Sequence, residues 1–190
     1  TTTNGNLTLE AALSASAASS TAILLKAGAG TAAGTTTGGD FINNAGASAL
    51  STPSGNWRVF SGSTSGTTEG GLTYSKRYNT ADSYAPGSAG NYIFYREAPT
   101  LTLTANSATR SYGAANPSFS GSATGFIDGD NATAVGGVTF GSTATATTGV
   151  GTVAITGAAG DNSLNYTIAQ ADGNARALTV DPATLTYVAN

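Results

Sequence analysis

The residue types that could do chemistry in this chain are few, and one short segment brings two carboxylates close together in the sequence. Asp128, Asp130 and Asn131 place two carboxylates and an amide within four positions, and Ca²⁺ prefers oxygen ligands of this kind. An EF-hand-like loop needs a further Glu at a fixed spacing, and none follows. Because Gly129 separates the two carboxylates, the pattern favours a turn over a metal site or an acid/base pair.

The chain contains no His, no Cys and no Met. It therefore lacks the usual acid or base near neutral pH, the thiol nucleophile and the soft metal ligands. A β-helix enzyme that cleaves acidic polysaccharide needs a basic residue and calcium-binding carboxylates along one face. Residues 7–55 contain only one Lys, one Glu and one Asp, without Arg. The sequence predicts a non-enzymatic protein with no catalytic residue and no cofactor.

Tyrosines offer the other candidate site. Tyr74, Tyr78, Tyr92 and Tyr95 lie in a segment rich in aromatic residues, and their rings could stack on sugars while their hydroxyls orient them. The alternative is a hydrophobic lid over the end of a stack of strands. Both interpretations stay open, whereas Trp57, the sole Trp, is predicted to be a core plug.

Composition limits the fold and the partners. Charged residues are 9% of the chain, against about 25% in a typical globular domain. The seven basic and ten acidic residues form no run of either sign, which argues against a nucleic-acid partner. Apolar runs are far shorter than the roughly 18 residues of a membrane helix. Strong helix formers other than Ala are scarce, and the prediction is an all-β protein with no transmembrane segment.

The first third of the sequence has short apolar segments whose starts are about 15 to 18 residues apart. This spacing is typical of a solenoid, in which short parallel strands stack and small residues form the corners. The Ala and Ser run at 11–22 could instead form a helix. We expect the last coils of a right-handed parallel β-helix over residues 1–55. The segments lie at 7–13, 22–27, 40–45 and 57–60.

Residues 56–98 are predicted to cap this solenoid. Aromatic and charged residues concentrate there, at 56–60, 74–78 and 91–96. An open end would expose strand edges and a slice of core, so bulky amphipathic side chains are the expected cover.

From Pro99 onward, apolar and polar residues alternate. Leu101, Leu103 and Ala105 share one face of a predicted strand, with Thr102 and Thr104 on the other. The same period returns in later segments separated by turn residues, which predicts a β-sandwich of six or seven strands over 99–182. The later segments lie at 138–140, 153–155, 166–168 and 178–180.

An internal repeat extends this pattern. Residues 99–106 recur at 183–190 with five of eight positions identical. The period of about 84 residues predicts that 183–190 is the first strand of a following repeat, and that the chain is a piece of a longer protein. A strand with an open edge could also add to a neighbouring copy, so self-association into filaments is a further expectation.

Several motifs resemble a known family. Arg110–Pro117, Gly125–Asp130, Asn165–Tyr166 and Ala177–Val180 resemble the MBG repeat, a mostly-β module of Ig-like or Greek-key type from large bacterial surface proteins. Upstream, the segments at 39–44 and 55–60 resemble the end of the β-helix in two-partner-secreted exoproteins of the filamentous-haemagglutinin type.

The resemblance implies an extracellular protein of the bacterial cell surface, exported through a dedicated partner pore. It implies a stalk or scaffold in an adhesin or filament, whose partners are further repeats of the same polypeptide and a surface glycan or protein receptor. The alternative function is a glycan-binding module that uses the Tyr-rich cap.

Overall fold

The computed structural model describes residues 1–85 and 89–188. Within them the regular secondary structure is β-strand, apart from two short 3-10 helices at Ala132–Val135 and Asp172–Arg176. The all-β prediction is confirmed. The run at 11–22 forms no helix, and it contains a two-residue strand instead.

The chain forms two compact units. The first contains Thr1–Pro99 together with Ser163–Tyr166, and the second contains Thr100–Asn162 and Thr167–Asn190. The four residues 163–166 therefore pack with the first unit, although they come from the part of the sequence predicted to be a sandwich.

The described part of the first unit contains eight short strands. Corners between them fall at small residues, such as Gly28 and Gly46, which adopt positive φ angles that favour glycine. The strands are β1 (Leu7–Leu9), β2 (Leu13–Ser14), β3 (Ile23–Lys26), β4 (Phe41–Asn43), β5 (Leu50–Ser51), β6 (Trp57–Ser61), β7 (Ser75–Arg77) and β8 (Tyr92–Tyr95).

All strand pairs of the first unit are parallel. β1 pairs with β4, β2 with β5, and β3 with β6, so the paired positions Leu7 and Phe41 are 34 apart and Leu13 and Leu50 are 37 apart. β8 pairs with β6, and the paired positions Arg58 and Tyr92 are also 34 apart. β7 pairs with the other side of β8 and forms the edge of this sheet. Three separate pairings thus share nearly one offset.

The observed strand pairing differs from the pairing that the spacing of the apolar segments predicted. Segments 15 to 18 residues apart in sequence lie in different sheets, and each pairs with the segment after the next. The sequence had predicted that this spacing separates stacked strands. Each set of corresponding strands therefore recurs after about twice the expected distance.

The core of the first unit is built on β6 and β8. Trp57 is 2% exposed, as expected for a core plug, and Val59 and Ile93 are fully buried as cross-strand partners. Phe60 and Phe94, on the opposite face, are also buried. The central strands are therefore covered on both faces, which explains their nearly continuous apolar sequence.

The second unit has eight described strands. The predicted segments at 101–105, 138–140 and 178–180 lie in strands, whereas only Val153 of 153–155 and only residues 167–168 of 166–168 do. Additional short strands in regions of mainly small residues bring the number above the six or seven predicted. The strands are β9 (Thr100–Ala105), β10 (Ala108–Ser111), β11 (Gly121–Thr124), β12 (Val138–Gly141), β13 (Gly151–Val153), β14 (Thr156–Ala159), β15 (Thr167–Gln170) and β16 (Leu178–Asp181).

These strands form small mixed sheets. β9 lies between β11, which is antiparallel to it, and β15, which is parallel. β16 lies between β10, which is parallel, and β13, which is antiparallel. β12 and β14 form an antiparallel pair. The first two strands of the unit therefore pair in parallel with its last two.

The second unit encloses its own core. Ile155 and Leu178 are fully buried, and Phe140, Phe119 and Val153 pack against their cluster. The inward residues of β9, Leu101 and Leu103, are also fully buried, as their alternation predicts.

The segment predicted to begin a further repeat is exposed where the structure describes it. Residues 183–188 form no strand, and Leu185 and Tyr187 are 94% and 87% exposed. The last two residues of that predicted strand, Ala189 and Asn190, lie outside the described residues.

Candidate ligand-binding surface

The four-stranded sheet of the first unit presents one face with aromatic and basic side chains. In-register pairing sets Lys26, Phe60, Phe94 and Arg77 in one row across the sheet. Residues two positions apart on a strand share a face, so a neighbouring row lies on the same side. That row contains Leu24, Arg58, Tyr92 and Ser75. We call the surface formed by the two rows the aromatic–cation face.

Cations on this face lie against rings. The Nζ atom of Lys26 is 5.8 Å from the Phe60 ring centroid, and the guanidinium of Arg58 is 5.1 Å from that of Tyr92. The rings also stack on each other, since Phe60 and Phe94 have centroids 4.9 Å apart. The two cation–ring contacts are favourable cation–π interactions, in which a positive charge lies over the face of an aromatic ring.

A loop after β7 supplies the outer layer of this face. The Tyr84 ring packs edge-on against Phe94 at 5.5 Å, and the Arg77 guanidinium lies 5.1 Å from the Tyr84 centroid. Asp82 from the same loop forms an ion pair of 3.2 Å with Lys26. Tyr84 nevertheless keeps 40% of its surface exposed. The loop therefore buries the phenylalanines and offers a tyrosine to solvent.

Two arginines in this region are buried. Burial lowers the pKa of Arg58, while nearby Tyr92 opposes the shift. Burial likewise lowers the pKa of Arg96, opposed by the charges of Asp40 and Asp82. Both guanidinium groups donate to backbone carbonyls, as buried cations must in order to offset the loss of water.

Arg96 binds two other stretches of the first unit, one at Ala27 and one at residues 37–39. Its guanidinium donates to the carbonyls of Ala27 at 2.6 Å, Thr37 at 3.0 Å and Gly39 at 2.8 Å. The residue has no exposed surface. A planar donor group suits this task, because it binds several carbonyls in fixed directions. Arg96 is therefore a structural residue.

The four tyrosines singled out from the sequence lie in different environments. Tyr78 and Tyr95 are fully buried, with ring centroids 5.9 Å apart, so neither presents a face to a ligand in this structure. Tyr74 is half-buried, and its hydroxyl lies 3.4 Å from that of Tyr95. Tyr92 is also half-buried and lies on the aromatic–cation face. Tyr92 is thus the member of the set that belongs to this face, where its ring also stacks on Phe94 at 5.3 Å.

Sequence reasoning missed Tyr84, Arg77 and Lys26 as components of a surface. Tyr84 lies in a loop without periodicity. The two cations are 51 positions apart in the sequence, and the cross-strand row brings them onto one face. The signal available was local: Lys76-Arg77-Tyr78 and Tyr84 place basic and aromatic residues close together.

The acidic segment of the second unit forms a turn. Asp128 and Gly129 both have positive φ angles, of 52° and 73°. The Asn131 side chain accepts a hydrogen bond of 2.9 Å from the Thr133 amide and so caps the following 3-10 helix. Within residues 1–85 and 89–188, no group of three or more acidic side chains could hold a metal ion.

The turn after β10 is held by a side-chain clamp. The buried Arg110 donates from Nε to Asn116 Oδ1 at 2.9 Å and also to the carbonyl of Thr145. Asn116 in turn donates to the carbonyl of Ala144 at 2.6 Å. The motif at 110–117 therefore fixes a loop against the irregular segment that follows β12.

A shallow groove of about 370 Å³ lies beside β14 and β15. Its amide groups are engaged, since Gln170 forms two 2.8 Å bonds with the backbone of Gly157 and Asn174 donates to the Leu103 carbonyl. The groove is lined by Ala154, Thr156, Gln170, Ala171, Asp172, Asn174 and Ala175. Its polar groups hold strands together.

No helix among the described residues has the length and apolar character that crossing a membrane requires.

Comparison with known families identifies part of the chain. Residues 101–176 match the model of the MBG domain (YGX type), a domain found in large surface-associated proteins. The matched range includes the clamp at Arg110 and Asn116 and the Tyr112-Gly113 turn. The sequence resemblance to MBG repeats is thereby confirmed for this segment. No curated protein and no solved structure matches the chain.

Proposed function

We propose that the chain is a non-enzymatic structural segment of a large secreted bacterial surface adhesin or filament, in which it acts as a stalk or scaffold. In this proposal the first unit is the end of a right-handed parallel β-helix with its aromatic cap. The second unit is one repeat of a tandem array. Export through a partner pore and an extracellular location belong to the same proposal.

The observation that carries the proposal is the recurrence of parallel pairing at offsets of 34 to 37 residues in three sets of strands. A chain that returns beside itself after a constant interval builds coils, and each coil supports its neighbour through backbone hydrogen bonds. Right-handed connections are the rule between parallel strands of one sheet. These features support the β-helix interpretation.

Side-chain bonds between successive coils add support. The Asn91 side chain accepts a bond of 2.9 Å from the Trp57 amide, and the Asn56 side chain accepts one of 3.0 Å from the Gly90 amide. Both asparagines precede strands of the same sheet. Reciprocal bonds at one corner of two adjacent layers favour a regular stack of coils.

The MBG match supports the scaffold role, because domains of this family occur in large surface-associated proteins. The exposed segment at 183–188 repeats the sequence of β9, whose Leu101 and Leu103 are buried in the second unit. This correspondence favours a following repeat of the same polypeptide as the nearest partner.

The test is a replacement in the native gene. We would replace the codons for residues 1–190 by an unrelated, equally long pair of β-rich modules, and measure attachment of the bacteria to a surface. A scaffold role predicts that attachment is kept with the replacement and reduced by simple deletion. Loss of attachment in both strains, with the protein still at the cell surface, would contradict the scaffold role.

A further inference from the structure

We infer that the aromatic–cation face binds an acidic polysaccharide whose sugars carry carboxylate groups. This inference goes beyond the scaffold role, which stands whether or not the face binds a ligand. It starts from the arrangement of charge and rings on one sheet rather than from the Tyr-rich composition of the cap.

The charge of the face is complementary to an anion. Lys26, Arg58 and Arg77 contribute three positive charges to the two rows, and Asp82 forms an ion pair with Lys26, so positive charge remains in excess. The whole chain has a formal charge of -3, so the sheet stands out as a positive region on an acidic protein. The field of the buried Arg58 adds to that of Lys26, whose side chain is 24% exposed, and to that of the half-buried Arg77, which also donates to the Ser163 carbonyl at 2.6 Å.

The geometry suits an extended chain. Lys26 and Arg77 lie at opposite ends of one row, three strand spacings apart, which is roughly 14 Å at about 4.8 Å per strand. Between them Phe60 and Phe94 are buried beneath the loop, and the exposed surface is formed by Tyr84, which is 40% exposed, and by Leu24 of the neighbouring row, which is 46% exposed. A polyanion lying across the strands can therefore meet a cation at each end and a ring between them.

Sugars fit the rings better than other anions do. The face of a sugar ring packs on an aromatic face, and the hydroxyl of the exposed Tyr84 can take part in hydrogen bonds with it. Nucleic acid binding relies on many phosphate contacts by Lys and Arg, whereas Lys26 and Arg77 supply few. The combination of few charges and exposed tyrosine favours a carboxylated polysaccharide.

The experiment measures binding of the full 190-residue chain to polygalacturonate by biolayer interferometry at low salt. Dextran sulfate, neutral dextran and duplex DNA are the comparison ligands. We expect saturable binding to polygalacturonate that weakens as salt is added, and weaker binding to the other three. Equal or stronger binding to neutral dextran, dextran sulfate or DNA would overturn the assignment to carboxylated sugars, as would no binding to polygalacturonate.

Variants locate the site. Leu24→Glu adds a negative charge at an exposed position of β3 and should weaken binding roughly fivefold or more, as should Tyr84→Ala. The matched controls are Leu13→Glu, on exposed β2, and Tyr112→Ala, on an exposed loop of the second unit. Each variant is checked for a native melting temperature before binding is compared. Equal affinities for Leu24→Glu and Leu13→Glu would remove the site from this face.

Discussion

The ring of Tyr166 packs edge-on against Tyr78, with centroids 5.0 Å apart and an angle of 69° between the planes. Both rings are buried within the first unit. Beside them the Tyr78 amide donates to the Leu164 carbonyl at 2.8 Å, and the Asn165 side chain donates to the Tyr78 carbonyl at 3.1 Å. Residues 163–166, which come late in the sequence, thus form hydrogen bonds and ring contacts with the first unit just beyond the end of β7.

The first prediction concerns this contact. Tyr166→Ala removes a buried aromatic ring and should lower the free energy of unfolding of the first unit by about 3 kcal/mol. Trp57 is the sole Trp of the chain and is buried in that unit, so its fluorescence during urea unfolding reports the change.

Tyr112→Ala is the matched control for Tyr166→Ala, because Tyr112 is 45% exposed. We expect it to change stability by no more than about 0.5 kcal/mol. Unfolding of Tyr166→Ala at the same urea concentration as the wild-type chain would show that the segment at 163–166 does not stabilise the first unit.

A second prediction concerns Arg96. Arg96→Met keeps much of the volume but leaves three carbonyls without their donor, so the first unit should lose about 3 kcal/mol of stability or more. The stability of Arg96→Lys should lie between that of the wild-type chain and that of Arg96→Met, since one ammonium cannot reach all three carbonyls with the same geometry. The measurement is again the urea midpoint followed by Trp57 fluorescence.

Arg176→Met provides the control, as Arg176 is an exposed arginine of the second unit. It should leave the midpoint for the first unit unchanged. If Arg96→Met unfolds no earlier than this control, the three carbonyl bonds contribute nothing to stability.

Much of the strand content could be predicted from the sequence. β9 is a clear case, because Leu101 and Leu103 alternate with threonines and both leucines are fully buried. β11 was missed, since Gly121–Thr124 carries only small residues and has no apolar period to detect. Its position is set by pairing with β9 and by the approach of Phe140 to Gly121, which are contacts distant in sequence.

The register of the parallel sheet could not be predicted. Gly55-Asn56-Trp57 and Gly90-Asn91-Tyr92 are similar in sequence at a distance of 35, which would align Trp57 with Tyr92. The structure instead pairs Arg58 with Tyr92, at a distance of 34. A shift of one residue exchanges the faces of a strand, so Trp57 enters the core whereas Tyr92 joins the aromatic–cation face.

Part of the candidate surface was nevertheless visible in the sequence. Tyr92 was selected there as a ring able to stack on sugars, and it lies on the aromatic–cation face. Tyr78 and Tyr95 were selected by the same reasoning and are fully buried. Composition identifies an aromatic segment, but only the register decides which rings face the core.

A third prediction tests the packing of the second unit. A Cβ atom at Gly157 would lie 2.8 Å from Leu103 Cβ and 2.9 Å from Phe140 Cε1. Gly157→Ala should therefore destabilise the unit by about 1 to 3 kcal/mol through overpacking, although alanine loses less backbone entropy than glycine on folding. Hydrogen exchange at the amides of β9 measures the effect.

Gly141→Ala is the control, since a Cβ atom there meets nothing within 4 Å. It should be neutral or slightly stabilising. Phe140→Leu combined with Gly157→Ala should cost less than the sum of the two single changes, because the smaller side chain relieves the contact. Additive effects would mean that Phe140 is not the group that excludes a side chain at position 157.

The last prediction concerns the segment that repeats the sequence of β9. Leu185 and Tyr187 correspond to Leu101 and Leu103 after the shift of 84, yet they are 94% and 87% exposed instead of buried. Exposed apolar residues that alternate with polar ones can add as a strand to the open edge of another copy. We therefore expect the chain to self-associate as its concentration rises.

Leu185→Ser with Tyr187→Ser, or deletion of 183–190, should leave a monomer in sedimentation velocity. The control is Thr184→Ser with Thr186→Ser, which changes the other face of the same segment and should leave association intact. A wild-type chain that stays monomeric would rule out this mode of pairing, and so would a loss of association in both double variants.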